Sequence, residues 1–215
     1  MGASVESVGS NAFGYCYRLA EVINKSSLEI SAGSDDFGYI GTNAIEVHDG
    51  ESKIIQQGDY VFYSSGAGYL LNYLGNETDL VLPVDFGGSA AYAIWHYAFY
   101  ENSHMTSVVI PKDVVTVGSY AFAYCEKLES VTMGEGLSSV LDYAFAYNDK
   151  LTNVNFSEGE TLSIGSYAFY DCDALTSVTF NEGLTSIGDH AFRSCDALTS
   201  VTFPSTLKTI GSSAF

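Results

Sequence analysis

The sequence predicts a repeat solenoid, mainly β: a right-handed array of coils about 23 residues long, with parallel strands and one irregular β-hairpin insertion. Three observations carry this reading. An Ala-Phe pair recurs with its Phe at Phe99, Phe122, Phe145, Phe169, Phe192 and Phe215, at gaps of 23, 23, 24, 23 and 23 residues. Two short apolar alternations precede each of these pairs. The slot three residues after the Phe holds only Cys or Asn. A fixed period of this size marks units that cannot bury their apolar faces alone and so stack on one another. An earlier copy, "NAFGYC", puts Phe13 in the same role.

One unit reads position by position in "LTSVTFPSTLKTIGSSAF", Leu198 to Phe215. Val201 and Phe203 are separated by one polar residue, so they share a face of an extended segment. The pair recurs as Val108/Ile110, Val131/Met133, Val154/Phe156 and Val178/Phe180. Pro204 then stops the pairing, as Pro111 and Pro83 do in their copies. A second apolar pair follows at a spacing of three: Leu207/Ile210, Leu184/Ile187, Leu137/Val140 and Val114/Val117. Gly118, Gly165, Gly188 or Gly211 comes next, then Ala-Phe. The unit is therefore strand, turn, short strand, then a helical or irregular turn. Val108, Val131, Val154, Val178 and Val201 should form one inward column on strands about 4.8 Å apart.

Cys16, Asn102, Cys125, Asn148, Cys172 and Cys195 occupy one slot on successive coils. Cys and Asn are both modest in size and both hydrogen-bond to backbone. A buried slot facing turn backbone can use either, and buried backbone groups must find partners. The slot reads as a structural ladder of thiols and amides, with all four cysteines reduced and buried. No C-x-x-C pair is present, and four Cys in a chain of 215 residues do not make a disulfide framework.

The pattern L-x-x-V-x-F-P-x-x-L-x-x-I-G-x-x-A-F-x-x-C-x-x-L resembles the BspA-like (Treponema-type) leucine-rich repeat family. The resemblance covers Glu77 to Phe215 and the N-terminal "VGSNAFGYCYRLAEV", Val8 to Val22. Trp95 and Leu141 depart from it where Gly is usual, and the copy from Leu151 carries one extra residue near Glu160. A local bulge is expected near Gly159. The resemblance implies a non-catalytic bacterial surface or secreted protein, an adhesin or binding scaffold, with no common catalytic residues to carry over. An extracellular or cell-surface location rests on the resemblance alone.

Lys plus Arg number 8 and Asp plus Glu 26, for a net charge of −18. That balance argues against nucleic acid and anionic membrane as partners, since both need clustered basic residues. No apolar run approaches the roughly 18 residues that span a bilayer. "MGASVESVGS" lacks the basic start and apolar core of a signal peptide. The chain enters in mid-repeat and stops at Phe215, so it reads as one solenoid, 1–215, cut from a longer protein. Its parts are a truncated first repeat over 1–23, irregular coils with a hairpin over 24–76, and regular repeats over 77–215. Within the irregular part, "NAI" at Asn43 resembles a degenerate Ala-Phe turn. "DYVFYSSGAGYLLNYLG" reads as a projecting β-hairpin, Tyr60 to Tyr63 against Tyr69 to Leu74.

Motifs of catalysis are missing: there is no P-loop, no G-x-S-x-G and no H-E-x-x-H, and no enzyme is expected. Asp35 and Asp36 in "AGSDDFGYIG" read as a solvated turn, because the alternating acids of a calcium loop are lacking. His48, His96, His104 and His190 have no metal-ligand spacing, so neither metal nor cofactor is expected. Tyrosine is the informative excess, at 16 residues. Tyr97, Tyr120, Tyr143 and Tyr167 share the slot before Ala-Phe, and Tyr15, Tyr124 and Tyr147 the slot two residues after the Phe. Tyr gives large contact area at low entropy cost and is enriched in binding surfaces. The first row, with Tyr60, Tyr63 and Tyr69 of the hairpin, is the candidate surface for a protein or glycan. It would stack on sugar rings or grip an extended peptide. The competing readings are tyrosines that merely shield coil edges, and a passive spacer presenting another domain.

Overall fold

The structure, a computed structural model, describes residues 1–33, 44–66, 68–85, 91–159 and 161–215. The Asp35–Asp36 turn, Asn43 and Glu160 lie outside the described residues. Among the described residues the regular elements are all β-strands, and no helix forms. In chain order they are β1 (Glu21–Ile23), β2 (Glu46–His48), β3 (Ile54–Gln57), β4 (Tyr60–Tyr63), β5 (Tyr69–Tyr73), β6 (Asp79–Val81), β7 (Tyr92–Ile94), β8 (Ser107–Val109) and β9 (Val114–Val117). Then follow β10 (Ser130–Met133), β11 (Ser139–Val140), β12 (Asn153–Phe156), β13 (Leu162–Ile164), β14 (Ser177–Thr179), β15 (Leu184–Ile187), β16 (Ser200–Thr202) and β17 (Thr209–Ile210).

Each regular coil lends one strand to each of two sheets. The first sheet runs β16-β14-β12-β10-β8-β6, parallel throughout. The second runs β17-β15-β13-β11-β9-β7-β5 in parallel and then turns antiparallel through β4 to β3. The register puts like on like: Val131 faces Val108 on one side and Val154 on the other, and Val178 faces Val201. Val108, Val131, Val154 and Val178 are buried, while Val201 is half-buried because β16 is the edge of its sheet. Phe203, Ile210 and Phe215 in the last coil are exposed for the same reason. A register shift falls between Leu162 and Ser163 where β13 meets β15, just after the copy with the extra residue.

The phenylalanines stack as well. Ring centroids from Phe99 through Phe215 are 4.6 to 5.2 Å apart, with planes within 8° of parallel. That interval is set by the spacing of paired strands, about 4.8 Å. Each buried Phe contributes about 1.5–3 kcal/mol by burial. Tyr73 closes the near end of this column, 5.7 Å from Phe99.

The Ala-Phe turns are hydrogen-bonded along the array like the strands. The N–H groups of Phe99, Phe122, Phe145, Phe169 and Phe192 donate to Ala121, Ala144, Ala168, Ala191 and Ala214 of the next coil. The intervening N–H groups turn back inside their own coil, as Ala121 does to Gly118 and Ala123 to Tyr120. This alternation is produced by residues in the left-handed region. Tyr97, Tyr120, Tyr143, Tyr167 and His190 have φ of 57° to 59°, and Glu101, Tyr124, Tyr147, Asp171 and Ser194 have φ of 57° to 61°. Each flip aims the next peptide along the stack, which gives alternate turn N–H groups a carbonyl partner in the next coil.

Glycine before the turn answers a different need. A Cβ on Gly188 would stand 2.5 Å from the nitrogen of Ser166 and 2.6 Å from the carbonyl carbon of Gly165, in the coil behind. Its φ is ordinary, so the requirement is close approach. Trp95 fills this slot where the array meets β5, and its ring turns against Tyr69, 5.0 Å away edge to face.

The hairpin does not project. β4 and β5 pair antiparallel as the alternation predicts, but β3 adds a third strand and β5 pairs in parallel with β7. The insertion is therefore a flat continuation of the second sheet. Both of its faces carry apolar side chains. Phe62, Leu70 and Tyr73 join the main core, while Tyr63 and Leu71 pack with Ala20 of the N-terminal coil. A hairpin that is apolar on both faces must be covered on both, so it lies as a wall between the two.

The Cys/Asn slot forms rungs between coils. The Cys125, Cys172 and Cys195 thiols donate to the carbonyls of Phe99, Phe145 and Phe169 at 3.2 to 3.3 Å. Asn148, fully buried, donates to Phe122 and Phe145 and accepts the N–H of Cys125 at 2.8 Å. Every rung thus satisfies a phenylalanine carbonyl one coil back. Half-buried Asn102 instead caps its own turn, accepting from the N–H groups of His104 and Met105. Cys16 departs from the expected ladder. It is exposed, because the N-terminal coil is not stacked in line with the rest and Phe13 packs in a separate small cluster around Val22 and Ala44. Replacing Asn148 by Ala removes three bonds from a dry site and should cost about 2–4 kcal/mol in urea unfolding. Asn148→Cys restores the rung used by its neighbours and should recover part of that loss. Equal losses for the two variants would show that volume, not bonding, governs the slot.

Candidate functional site

Tyr97, Tyr120, Tyr143 and Tyr167 form a column, but the rings face one another. Successive centroids lie 5.0, 4.7 and 4.6 Å apart, with planes 4°, 4° and 2° from parallel. His190 continues the stack at 4.7 Å. All four tyrosines are half-buried. Their faces are used within the array, so the column offers ring edges and hydroxyls rather than platforms for sugar rings. This corrects the expectation of face stacking along the stripe.

The hairpin tyrosines do not join the column. Tyr63 is buried, and its hydroxyl donates to Glu46 Oε2 at 2.7 Å. Tyr60 packs over the main core against Tyr73, at 5.1 Å. Tyr69 packs against Trp95. All three are wall residues on β4 and β5, packed against other rings or the core, while β3 at the sheet edge is exposed.

Where the wall displaces the N-terminal coil from the stack, a cleft of about 740 Å³ opens. One side is the turn Tyr15 to Leu19, and the other is formed by Tyr97, Tyr100, Tyr120, Tyr124 and Tyr147. Tyr17 lies on the end of the tyrosine column, 5.4 Å from Tyr97. Tyr15 meets Tyr17 edge to face at 6.1 Å and is 84% exposed. Tyr100 stands edge-on to both Tyr97 and Tyr124, and Tyr124 stacks on Tyr147 at 4.4 Å. Arg18 is the one charged residue in this lining, and its Nη2 donates to Asn72 Oδ1 of β5. Cys16 opens into the same cleft.

The displaced coil is held by two carboxylates. Glu21 accepts from Ser52 Oγ at 2.6 Å, the Lys53 N–H at 2.7 Å and His48 Nε2 at 3.0 Å. His48 Nδ1 accepts from the N–H of Gly50, which leaves Nε2 to carry the proton given to Glu21. Glu46 pairs with the Lys53 ammonium, Tyr63 and Ser65. Those bonds, that of Lys53 first, hold its carboxyl down at about 2.

Burial pushes the Tyr120 hydroxyl up to about 12, with the neighbouring Tyr143 and Tyr97 adding to it. Tyr97, Tyr143 and Tyr147 are raised too, again chiefly by burial. Among the described residues, no group of three or more His, Cys, Asp or Glu is placed to hold a metal ion, and no helix is long and apolar enough to cross a membrane.

Of the cleft residues, the sequence pattern marks Tyr97 and Tyr120 as site candidates and notes the second row of Tyr15, Tyr124 and Tyr147. Tyr17, Tyr100 and Arg18 carry no periodic signal. Tyr100 meets the column within its own regular coil, as Tyr170 does at Tyr167, whereas Tyr17 and Arg18 reach the cleft because the first coil is displaced, and displacement leaves no mark in a period.

The model of the BspA-type leucine-rich repeat region matches in six copies over residues 1–68 and 93–215. The chain belongs to the BspA-type leucine-rich-repeat family. The match takes in most of the irregular coils over 24–76 and omits 69–92, so the family pattern reaches further into the insertion than the repeat spacing shows. A leucine-rich cell surface protein of Faecalibacterium prausnitzii A2-165 has the same fold, with a TM-score of 0.64 and 29% identity. The match covers 77% of this chain and 46% of that protein, so this chain spans less than half the relative's length. The leucine-rich repeat protein of T. pallidum gives a TM-score of 0.64 at 24% identity, over 73% of this chain and 81% of its own. No curated protein sequence matches the chain.

Two outcomes follow for this member of the family. The expectation of four buried cysteines becomes one and three: native protein should titrate a single thiol, Cys16, and the other three should appear only on unfolding. Cys125 is pushed up to about 12 by burial, which keeps it a thiol at any ordinary labelling pH. In alkali, the Tyr120 hydroxyl is raised above its unfolded value near 10, so the stability it carries is intact below about pH 10 and is lost as pH rises through 12. Phenolate absorbance in the native protein should therefore lag that of the unfolded chain between those limits. Coincident curves would mean the column is not desolvated.

Proposed function

We propose that this chain is a non-catalytic recognition module of a bacterial cell-surface or secreted protein, and that the tyrosine cleft beside the displaced coil binds its protein or glycan ligand. The observation behind this reading is the cleft itself: seven tyrosines around one concave space of about 740 Å³. A repeat array needs its rings as mortar between coils, but Tyr15, Tyr17 and Tyr124 remain exposed after that need is met. Amphipathic rings on a rigid support are the usual material of recognition surfaces. The F. prausnitzii relative is itself a leucine-rich cell surface protein, which supports the same location here. The regular coils beyond the cleft suit the second reading, a spacer, since Tyr143 and Tyr167 serve one another there.

The two readings separate by mutation. Tyr124→Asn combined with Tyr15→Ser keeps a residue suited to the left-handed position and removes two open rings. Binding to whatever ligand the native protein retains on cell-surface and glycan arrays should fall at least about tenfold, at a stability cost of about 1–3 kcal/mol from the two ring pairs of Tyr124. Tyr143→Asn should cost a similar amount, about 1–3 kcal/mol, through its own two ring pairs but leave binding intact. Retention indifferent to the Tyr15/Tyr124 pair would favour the spacer.

A further inference from the structure

Resting on the cleft as the recognition site, the chemistry of its lining narrows the ligand. The protein carries a net charge of −18, yet this lining contains no carboxylate and one guanidinium, Arg18. Glu101, outside the lining, bonds the Tyr100 hydroxyl. The stacked rings turn their edges to the cleft, and the edge is the positive part of an aromatic quadrupole. Their hydroxyls, on rings about 5 Å apart, can each donate and accept. The ring of Tyr15, met edge to face by Tyr17, is the most open of the set.

Backbone supply weighs against a peptide added as a strand and in favour of a sugar. A peptide that binds a β-protein by strand addition pairs its main chain with a free strand edge. Here the N–H groups of Tyr97, Glu101, Tyr120 and Tyr124 are all spent on the next coil. A peptide would find side-chain hydroxyls and no ladder. A sugar needs hydroxyl partners and one ring face for its C–H groups, and the cleft has both. Its volume suits a short oligosaccharide.

We propose that the cleft binds an acidic glycan, with a sugar carboxylate on Arg18 and the sugar hydroxyls on the row of phenols. Arg18 is suited to this role because Asn72 engages one of its nitrogens and holds the planar fork in place.

The test uses the intact chain and immobilised oligosaccharides ending in galacturonic acid or sialic acid, the same sugars with the carboxyl reduced to an alcohol, and hexaglutamate. At least one carboxylated sugar should bind, carboxyl reduction should weaken it about tenfold, and Arg18→Gln should weaken it by a similar factor without affecting the reduced form. Bound sugar should also slow labelling of Cys16, which places it in the cleft. Equal binding of acid and reduced sugars, or retention of hexaglutamate alone, would overturn the proposal. If none of these probes binds while the arrays still yield a ligand sensitive to Tyr15 and Tyr124, this proposal fails and the recognition module stands. If no ligand depends on the cleft at all, both fail.

Discussion

The spacing between coils governs this molecule. Parallel strands hydrogen-bond at about 4.8 Å and no other distance, so every side chain has its own repeat partner for a neighbour. Phenylalanine rings fall at 4.6 to 5.2 Å and tyrosine rings at 4.6 to 5.0 Å because the backbone ladder puts them there. The same rule fixes volume in the valine column, where an added methylene would meet an identical residue on both sides. It also stacks like charge. Burial, and then the nearby Asp173, Asp149 and Asp196, raise Asp171 above the usual carboxylate range. An array made of self-contacts suits rings, methyls and amides, and makes rows of acid costly.

The insertion follows from the same constraint by breaking it. A coil that lacks the repeat pattern cannot accept a repeat on its outer side. The chain instead turns three strands antiparallel and extends the second sheet as a wall. Polar clamps at Glu21 and Glu46 then fasten the first coil against the far face of that wall. Its turn comes to rest beside the tyrosine column, displaced from the line of the stack, and the space between them is the cleft. The slot of Tyr17 holds Ser103, Glu126, Asp149, Asp173 or Asp196 in the regular copies, so its stacking on Tyr97 exists only because the coil is out of line. Tyr15 and Tyr17 face the cleft through that displacement.

The solenoid was legible in the sequence because period, apolar spacing and the Cys/Asn slot all report a single geometry, and stacking forces each copy to repeat it. Val108 to Val178, the rungs at Cys125, Asn148, Cys172 and Cys195, and the strand pair of the hairpin could be read from pattern alone. The direction of the tyrosine rings could not. Variation at the slot before Ala-Phe suggests solvent, yet a left-handed backbone turns each ring along the stack onto its neighbour. Cys16 was misplaced for a related reason. Its local motif is intact, but whether a coil is in line with the next depends on Phe62, Tyr63, Leu70 and Leu71 of the wall, far along the chain.

The left-handed slots hold one more argument. A residue with a Cβ costs roughly 1–2 kcal/mol there, and Gly or Asn is the economical choice. Asn11 takes the slot in the displaced coil, and Ser213 takes it in the last. Between them stand Tyr97, Tyr120, Tyr143, Tyr167 and His190, each with an aromatic neighbour in the stack. Each stacked pair contributes about 0.5–1.5 kcal/mol beyond burial, so an interior ring with two neighbours offsets its own strain and a terminal one does so only in part. The ring column is therefore self-supporting along its length and weakest at its ends. At Tyr97, where the regular repeats stop, the second stacked neighbour is Tyr17 of the displaced coil, and Tyr17 and Tyr100, which meets Tyr97 edge to face, both belong to the cleft. Stability and recognition thus draw on the same column, with the interior serving the first and the end beside the displaced coil the second.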